Sequence, residues 1–353
     1  VKTFLSNFWL KLTHWEYWPW YVVYLPVFAY WLWCGLRAQA IFYLSAVNPG
    51  FAYGGIIGTS KKAILDKLPP GLVPKTLLFK AHDPLAKVLA GMKPAGLVFP
   101  VVVKPDIGER GFKVELIRSA AELQHYLTGV KGLLLMQEYL DLPMEAGVFY
   151  YRMPGAVSGT VSSVVLKGLL TVTGNGQDSI ARLMARNGRA RLQIKRLNAK
   201  AGVDLARVPA PGETVLLEPI GNHVRGTRFI DGNYLITPQL TATFDRISKQ
   251  VDGFYYGRYD VRCQDAAALC RGDIKIMELN GAASEPAHIY APGFPLVKGY
   301  QVLLHHWRVL YAISRQNHRR GVPYMSFATG LQALRKSRFG KQVSARPKYP
   351  TGR

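Results

Sequence analysis

Carboxylates are the scarce charge in this chain: 22 Asp and Glu stand against 45 Lys and Arg, for a formal charge of +23. A balance so far from neutral implies an anionic partner, whether nucleic acid, an acidic membrane surface or a phosphorylated substrate. Cysteine is scarcer. Cys34, Cys263 and Cys270 form no CxxC pair and leave one over under any pairing, which excludes a disulfide framework and fits reduced thiols in a cytosolic compartment. No zinc site is expected either: the eight histidines include the pair His305 and His306 on an expected helix, where sequence neighbours do not share a face. A secretory signal is not expected, because the N-terminal residues are bulky and no A-x-A-like cleavage site follows. The basic stretch 182–207 lacks the interleaved aromatics that stack bases, so it reads as a solvated helical excursion and no specific nucleic acid is expected.

Apolar residues are abundant. At 49% of 353 residues they exclude wholesale disorder and suffice for two or three domains. Residues 4–44 are crowded with aromatics, among them Trp15, Trp18, Trp20, Tyr24, Trp31 and Trp33. From 15 to 36 the only formal charge is Glu16, and a helix of that length crosses a bilayer of roughly 30 Å. Pro19 and Pro26 interrupt it, and Trp and Tyr prefer the headgroup level. Three readings stay open: a segment lying in the interface, a span, or an apolar surface covered by protein. Lys2, Lys11, Arg37, Lys61 and Lys62 flank both sides, so charge gives no orientation.

Beyond the breaks at Asn48-Pro49-Gly50 and Gly54-Gly55, strand and helix patterns mix, which indicates an α+β or α/β class. Helices are expected at 60–68, 83–91, 119–128 (a capping box on Ser119 and Glu122), 178–186, 237–251 and 297–315. Strands are expected at 72–79, 97–105, 133–138, 147–152, 157–167 and 214–219. The tail 335–353 is basic, poor in carboxylates and expected to be disordered.

Three stretches carry chemistry. Residues 97–105 form an apolar run ending in Lys104, followed by a turn with Gly108 and Gly111, where backbone amides and a lysine suit phosphate; a plain hairpin with a basic edge is the alternative. Residues 221–228, with Asn222, Arg225 and Arg228, gather donors in a loop suited to an anion. Residues 255–280 read as two adjacent strands joined by a loop, bringing Asp260 near Glu278 and Asn280. Two carboxylates and a carboxamide on one face are what magnesium needs; a hairpin with solvated ends is the alternative.

Taken together, residues 72–315 resemble the ATP-grasp superfamily, and within it the D-alanine:D-alanine ligase-like and the cyanophycin or glutathione synthetase-like carboxylate-amine ligases. The resemblance implies an α+β ATP-grasp fold, in which two subdomains clasp ATP. It implies that Lys104 and Lys167 meet the nucleotide phosphates, that Gly108 and Gly111 lie in the loop over them, and that Gln137, Glu138 and Tyr139 form the adenine hinge, with Glu145 at the ribose. The run 172–176 resembles the synthetase-type VxGDG loop. Asp260, Glu278 and Asn280 would hold magnesium, as two ions or with manganese in its place, and Arg258, with Lys167, would face the reacting oxyanion. The loop 281–286 differs from that of the D-alanine ligases.

The implied division is an aromatic membrane-associated segment (1–50), a linker region (51–95), a small subdomain with the glycine loop (96–175), a large subdomain with the metal site (176–320) and a basic tail (321–353). The implied reaction joins a carboxylate to an amine through an acylphosphate, on small-molecule or lipid-linked substrates, peripherally or monotopically at the cytoplasmic face of the plasma membrane. A ligase acting on a protein or peptide terminus, and an ATP-binding membrane scaffold without turnover, are the alternatives.

Overall fold

The computed structural model describes residues 9, 12–108, 111–199 and 204–344. Lys2 and Lys11, residues 109–110 of the glycine loop and residues 345–353 of the tail lie outside the described residues. In chain order the strands are β1 (Thr76–Lys80), β2 (Val101–Pro105), β3 (Glu115–Ile117), β4 (Leu133–Glu138), β5 (Met144–Tyr151) and β6 (Thr160–Gly168). They continue with β7 (Leu170–Thr173), β8 (Thr214–Glu218), β9 (Arg228–Asp231), β10 (Tyr256–Cys263) and β11 (Ile274–Asn280). Three antiparallel sheets result, in the orders β1-β4-β2-β3, β11-β10-β5-β6-β9 and β7-β8.

In the first sheet, Phe79, Val101, Val103, Leu134 and Met136 pack against the helices Leu85–Met92 and Ala120–Thr128. The second of these helices starts at the expected box: Ser119 Oγ accepts from the Glu122 N–H (3.2 Å), and the Glu122 carboxylate accepts from the Arg118 N–H (2.9 Å). The larger sheet is two-sided because its side chains alternate. One side, with Val148, Tyr150, Tyr259, Val261 and Ile276, joins the helix Pro238–Lys249 in the main core. The other side carries polar residues in register: Asp260 faces Gly147 on β5 and Glu278 on β11, Arg262 faces Glu145, and Arg258 faces Asn280.

Two expectations are corrected by these elements. The connection between β10 and β11 is not a plain loop but holds the helix Ala266–Arg271. Its Asp265 cap accepts from the Ala268 N–H at 2.7 Å, and Gly272 ends it at φ +93. Six residues are too few to show a helical period. The tail is not disordered throughout: a helix Phe327–Ser344 takes in residues 335–344, where Lys, Arg and Gln favour helix, with Pro323 before it and Pro347 after. After the 221–228 loop, β9 adds an edge strand to the main sheet.

Among the described residues, no helix is long and apolar enough to cross a membrane. The aromatic segment breaks near Pro19 and Tyr24 into the short helix Trp20–Val23 and the longer Leu25–Ala38. Its inner residues dock on the body. Trp15 donates its indole N–H to the Phe294 carbonyl (2.6 Å), and Glu16 pairs with Arg189 at 2.6 Å. Val27 packs with Leu303, and Cys34 with Leu310 and Ile313 of the helix Leu296–Arg319. Tyr21, Leu25, Leu32, Trp33 and Leu36 remain exposed.

Asn48 ties this segment to β10. Its Oδ1 accepts from the Tyr255 and Tyr256 N–H groups (2.9 and 3.0 Å), and its Nδ2 donates to the Gly54 and Tyr256 carbonyls (3.1 and 2.9 Å). Substituting Asn48→Ala leaves buried backbone groups unpaired and is expected to cost about 3 kcal/mol in denaturant unfolding; a loss under about 1 kcal/mol would contradict this anchoring role.

Candidate active site

The site grows out of the alternation of β10. Arg258, Asp260 and Arg262 are two residues apart, so they share one face of the strand. Asp260 accepts from Arg258 Nε (3.2 Å) and Nη2 (3.1 Å), from Lys167 Nζ on β6 (3.1 Å) and from Asn280 Nδ2 (3.1 Å). Lys167 also reaches Glu145 Oε1 at 3.0 Å. Glu145 Oε2 in turn accepts from Arg262 Nε and Nη2 at 3.2 and 3.0 Å. Gly147 makes this packing possible: a Cβ there would lie 2.8 Å from Val165 and 3.3 Å from both the Arg258 side chain and Asp260 Oδ1.

Electrostatics follow from burial and pairing. Burial works to raise the Asp260 pKa, yet Arg258 and Lys167 outweigh it and pull it down to about 2. Burial also works to lower Lys167, but Asp260 and Glu145 hold its ammonium above the usual lysine range. Lys104, at the end of β2, goes the other way. Burial and then nearby Lys61 lower its pKa, although Glu278, Asp260 and Glu145 oppose the shift. Its Nζ donates to Gln137 Oε1 (3.0 Å) and the Met277 carbonyl (3.4 Å), so the first sheet meets β11 here. Four basic side chains, Lys104, Lys167, Arg258 and Arg262, thus meet three carboxylates, Glu145, Asp260 and Glu278. The surplus is positive, which suits an anionic ligand.

The remaining candidates fall in separate places. Gly111, at φ +70, lies against the 221–228 loop: Arg225 Nη2 donates to its carbonyl (2.8 Å), and a Cβ would meet Asn222 at 2.9 Å. Gly108 offers its carbonyl to Lys61 Nζ (2.7 Å). Gln137 is turned toward Lys104 and Met277, whereas Glu138 is tied to Lys75, accepting at Oε2 from its N–H (3.1 Å) and donating to its carbonyl (2.9 Å). Tyr139 lies under the Arg262 guanidinium, 5.8 Å from it. Glu145, placed at a ribose by resemblance, here bridges Lys167 and Arg262. Arg228 is exposed on β9, in register with Gly168 and apart from the acidic centre.

Two contributors escape a sequence reading. Arg262 repeats the spacing of Arg258 about Asp260, and that period was the signal available for it. Lys61 gave none, because its contacts with the Asp106 and Gly108 carbonyls span 45 and 47 residues.

Among the described residues, no group of three or more His, Cys, Asp or Glu is arranged to hold a metal ion. The donor set Asp260, Glu278 and Asn280 instead combines two carboxylates with an amide on paired strands, all hard oxygen donors. With Asp260 ionised, that set fits magnesium completed by phosphate oxygens and water.

Residues 62–167 match the family model described as the RimK-like ATP-grasp domain. That span holds β1 to β6 up to Lys167, with Lys104 and Glu145, and ends before Asp260, Glu278 and Asn280. The match agrees with the α+β ATP-grasp reading of the sequence. None of the curated protein sequences matches the chain. Among solved structures, a bifunctional glutathione synthetase from Pasteurella multocida is similar at TM-score 0.36 and 18% identity, over 71% of this chain and 35% of that one. A D-alanine–D-alanine ligase from Bacillus anthracis is similar at 0.41 and 13%, over 74% and 69%. The VanG D-Ala:D-Ser ligase from Enterococcus faecalis is similar at 0.38 and 14%, over 71% and 61%. The chain spans about a third of the length of that synthetase.

Beside Arg258, whose Nη1 donates to the Glu285 carbonyl at 3.4 Å, the Glu285 carboxyl is pushed up to about 7 by burial, partly offset by a hydrogen bond from Tyr290. A raised acid stabilises the fold below its unfolded pKa of 4.5 and loses that contribution as pH rises through about 7. Relative to Glu285→Gln, the parent protein should therefore lose stability between pH 4.5 and 7 in denaturant titrations; parallel pH profiles for the two proteins would contradict the shift.

Proposed function

We propose that this chain, whose residues 62–167 match the RimK-like ATP-grasp domain, is an ATP-dependent ligase that joins a carboxylate to an amine through an acylphosphate, releasing ADP and phosphate. The observation that carries the reading is the gathering of Asp260, Glu278 and Asn280 on paired strands, with Lys104 and Lys167 reaching the same face. Phosphoryl transfer needs positioning and charge stabilisation more than covalent chemistry from the protein. Lys104 and Lys167 would hold the phosphate oxygens from opposite sheets. The substrate carboxylate attacks the γ-phosphorus, and the bond to the ADP oxygen breaks. The amine nitrogen then attacks the acyl carbon, and the carbon–oxygen bond to phosphate breaks with its electron pair leaving on phosphate. Arg258, oriented by two bonds to Asp260, is placed to stabilise the oxyanion between these events. Magnesium held by Asp260, Glu278 and Asn280 would neutralise charge on the triphosphate. The finer reading is a pair of such ions, with manganese able to serve the same oxygen donors.

In the same proposal the enzyme works at the cytoplasmic face of the plasma membrane, on small-molecule or lipid-linked substrates. Support comes from the outward Tyr21, Leu25, Leu32, Trp33 and Leu36, and from the charge of +23, each basic residue near anionic lipid adding roughly 1 kcal/mol.

Two measurements check this. ADP release with magnesium, screened over acids and amines, should appear in the parent and fall at least about a thousandfold in Asp260→Asn, since that change removes both a cation ligand and the partner of Arg258; turnover within tenfold of the parent would contradict the assignment. The protein should sediment with vesicles containing anionic phospholipid and lose that binding in Leu25→Ser/Leu36→Ser; equal recovery in the supernatant with and without anionic vesicles would contradict the membrane reading.

A further inference from the structure

Between residues 4 and 44 the only carboxylate is Glu16, and the fold buries it. Its side chain is 4% exposed and meets Arg189 Nη2 at 2.6 Å, and Arg189, on the short helix Gly188–Arg191, is itself 12% exposed. An ion pair buried this deeply costs desolvation on both sides, which further hydrogen bonds must offset. Arg189 makes them to a single loop. Its Nη1 donates to the Thr227 carbonyl (3.2 Å) and to His223 Nε2 (3.3 Å). Tyr17 completes the contact: its ring lies 5.3 Å from the Arg189 guanidinium carbon and 6.0 Å from the His223 ring. Burial and Arg189 lower the His223 pKa to about 4, so the imidazole stays neutral and keeps a lone pair for the arginine.

The loop that Arg189 holds is the 221–228 loop, and the same loop touches the acidic centre. Gly221 lies directly on Glu145, since a Cβ there would stand 2.2 Å from Oε1. Just before it, the Pro219 carbonyl accepts from Arg262 Nη2 at 3.4 Å. Arg225 reaches the Gly111 carbonyl at 2.8 Å. The loop is closed on itself by the Thr227 N–H, which donates to the Asn222 carbonyl (3.1 Å), and Thr227 is fully buried. It therefore has two sets of partners: Glu145, Arg262 and Gly111 at the site, and Arg189 and Tyr17 beside the aromatic segment's carboxylate.

We propose that Glu16 and Arg189 are positioning residues for the nucleotide: the pair fixes the loop that carries Asn222 and Arg225, and with it the contact to Gly111, before the triphosphate binds. The proposal rests on the ligase reading for the identity of that anion. Without Glu16, Arg189 is a buried cation deprived of its carboxylate, and the geometry that presents its other nitrogen to the Thr227 carbonyl and His223 is lost. A loop no longer held in its bound arrangement must be ordered by the ligand, which lowers affinity. The aromatic segment is thereby part of the nucleotide site as well as an apolar face.

The test uses the full chain, a fluorescent ATP analogue with magnesium, and amide hydrogen exchange without nucleotide. Glu16→Gln and Arg189→Met should each raise the Kd of the analogue at least fivefold while keeping the amplitude at saturation. Both should speed exchange across residues 221–228 at least tenfold and leave the amides of β5 and β10 at the parent's rates. Tyr17→Leu keeps the ion pair and removes only the ring beside the guanidinium; it should raise the Kd about twofold to fivefold, and it reads the same loop if a charge variant folds poorly. A role in folding alone would lower the amplitude and leave Kd unchanged, and that pattern overturns the proposal. Exchange in 221–228 equal to the parent's in both charge variants overturns it too. A parent that binds the analogue, with both charge variants within twofold of it, sinks the positioning role and leaves the ligase reading. A parent that binds no ATP analogue sinks the ligase reading, and the positioning role falls with it.

Discussion

Everything in the centre of this protein depends on one buried carboxylate. Asp260 is 6% exposed and sits on a strand paired on both sides, so its charge has no recourse to water. Two cations and an amide converge on it, from β10 itself, from β6 and from β11. Removing one partner of such a buried pair typically costs about 3–5 kcal/mol, because the other charge is left uncompensated. The same constraint passes outward: Lys167 links Asp260 to Glu145, and Glu145 links Lys167 to Arg262. Lys167 and Glu145 are each held by two other side chains, and Arg258 and Arg262 by a carboxylate and a backbone carbonyl, which fixes their positions before any ligand arrives.

That rigidity has a counterpart in the loops. In the glycine loop, Lys61 donates to the Gly108 carbonyl and Arg225 to the Gly111 carbonyl. Both bonds join segments far apart in sequence, and both leave a cation close to where the loop would meet an anion. Sheet and loop therefore present positive charge from two directions.

Much of this could be read from the chain. Period-two alternation placed Asp260, Glu278 and Asn280 together, and β10 and β11 pair in that register. The Ser119 box and the Thr237-Pro238 start both cap helices, since capping depends on bonds within four residues. What escaped was short or distant. The helix Ala266–Arg271 is below the length at which periodicity speaks, and Lys61, Arg262 and Asn48 act through partners that only folding brings near. The aromatic segment left its readings open for a physical reason: a surface docked on protein and a surface docked on lipid are equally apolar in sequence. Trp15 and Val27 turned out to face the body, whereas Leu25 and Leu36 do not.

The central claim is that Lys104 and Lys167, carried by different sheets, close on one triphosphate whose cation is held by Asp260, Glu278 and Asn280. Equilibrium binding of a fluorescent ATP analogue tests it most directly, with and without magnesium, in the parent protein and in Lys104→Met and Lys167→Met. The account predicts magnesium-dependent binding that each lysine substitution weakens at least tenfold. Binding that ignores magnesium and survives both substitutions would contradict it.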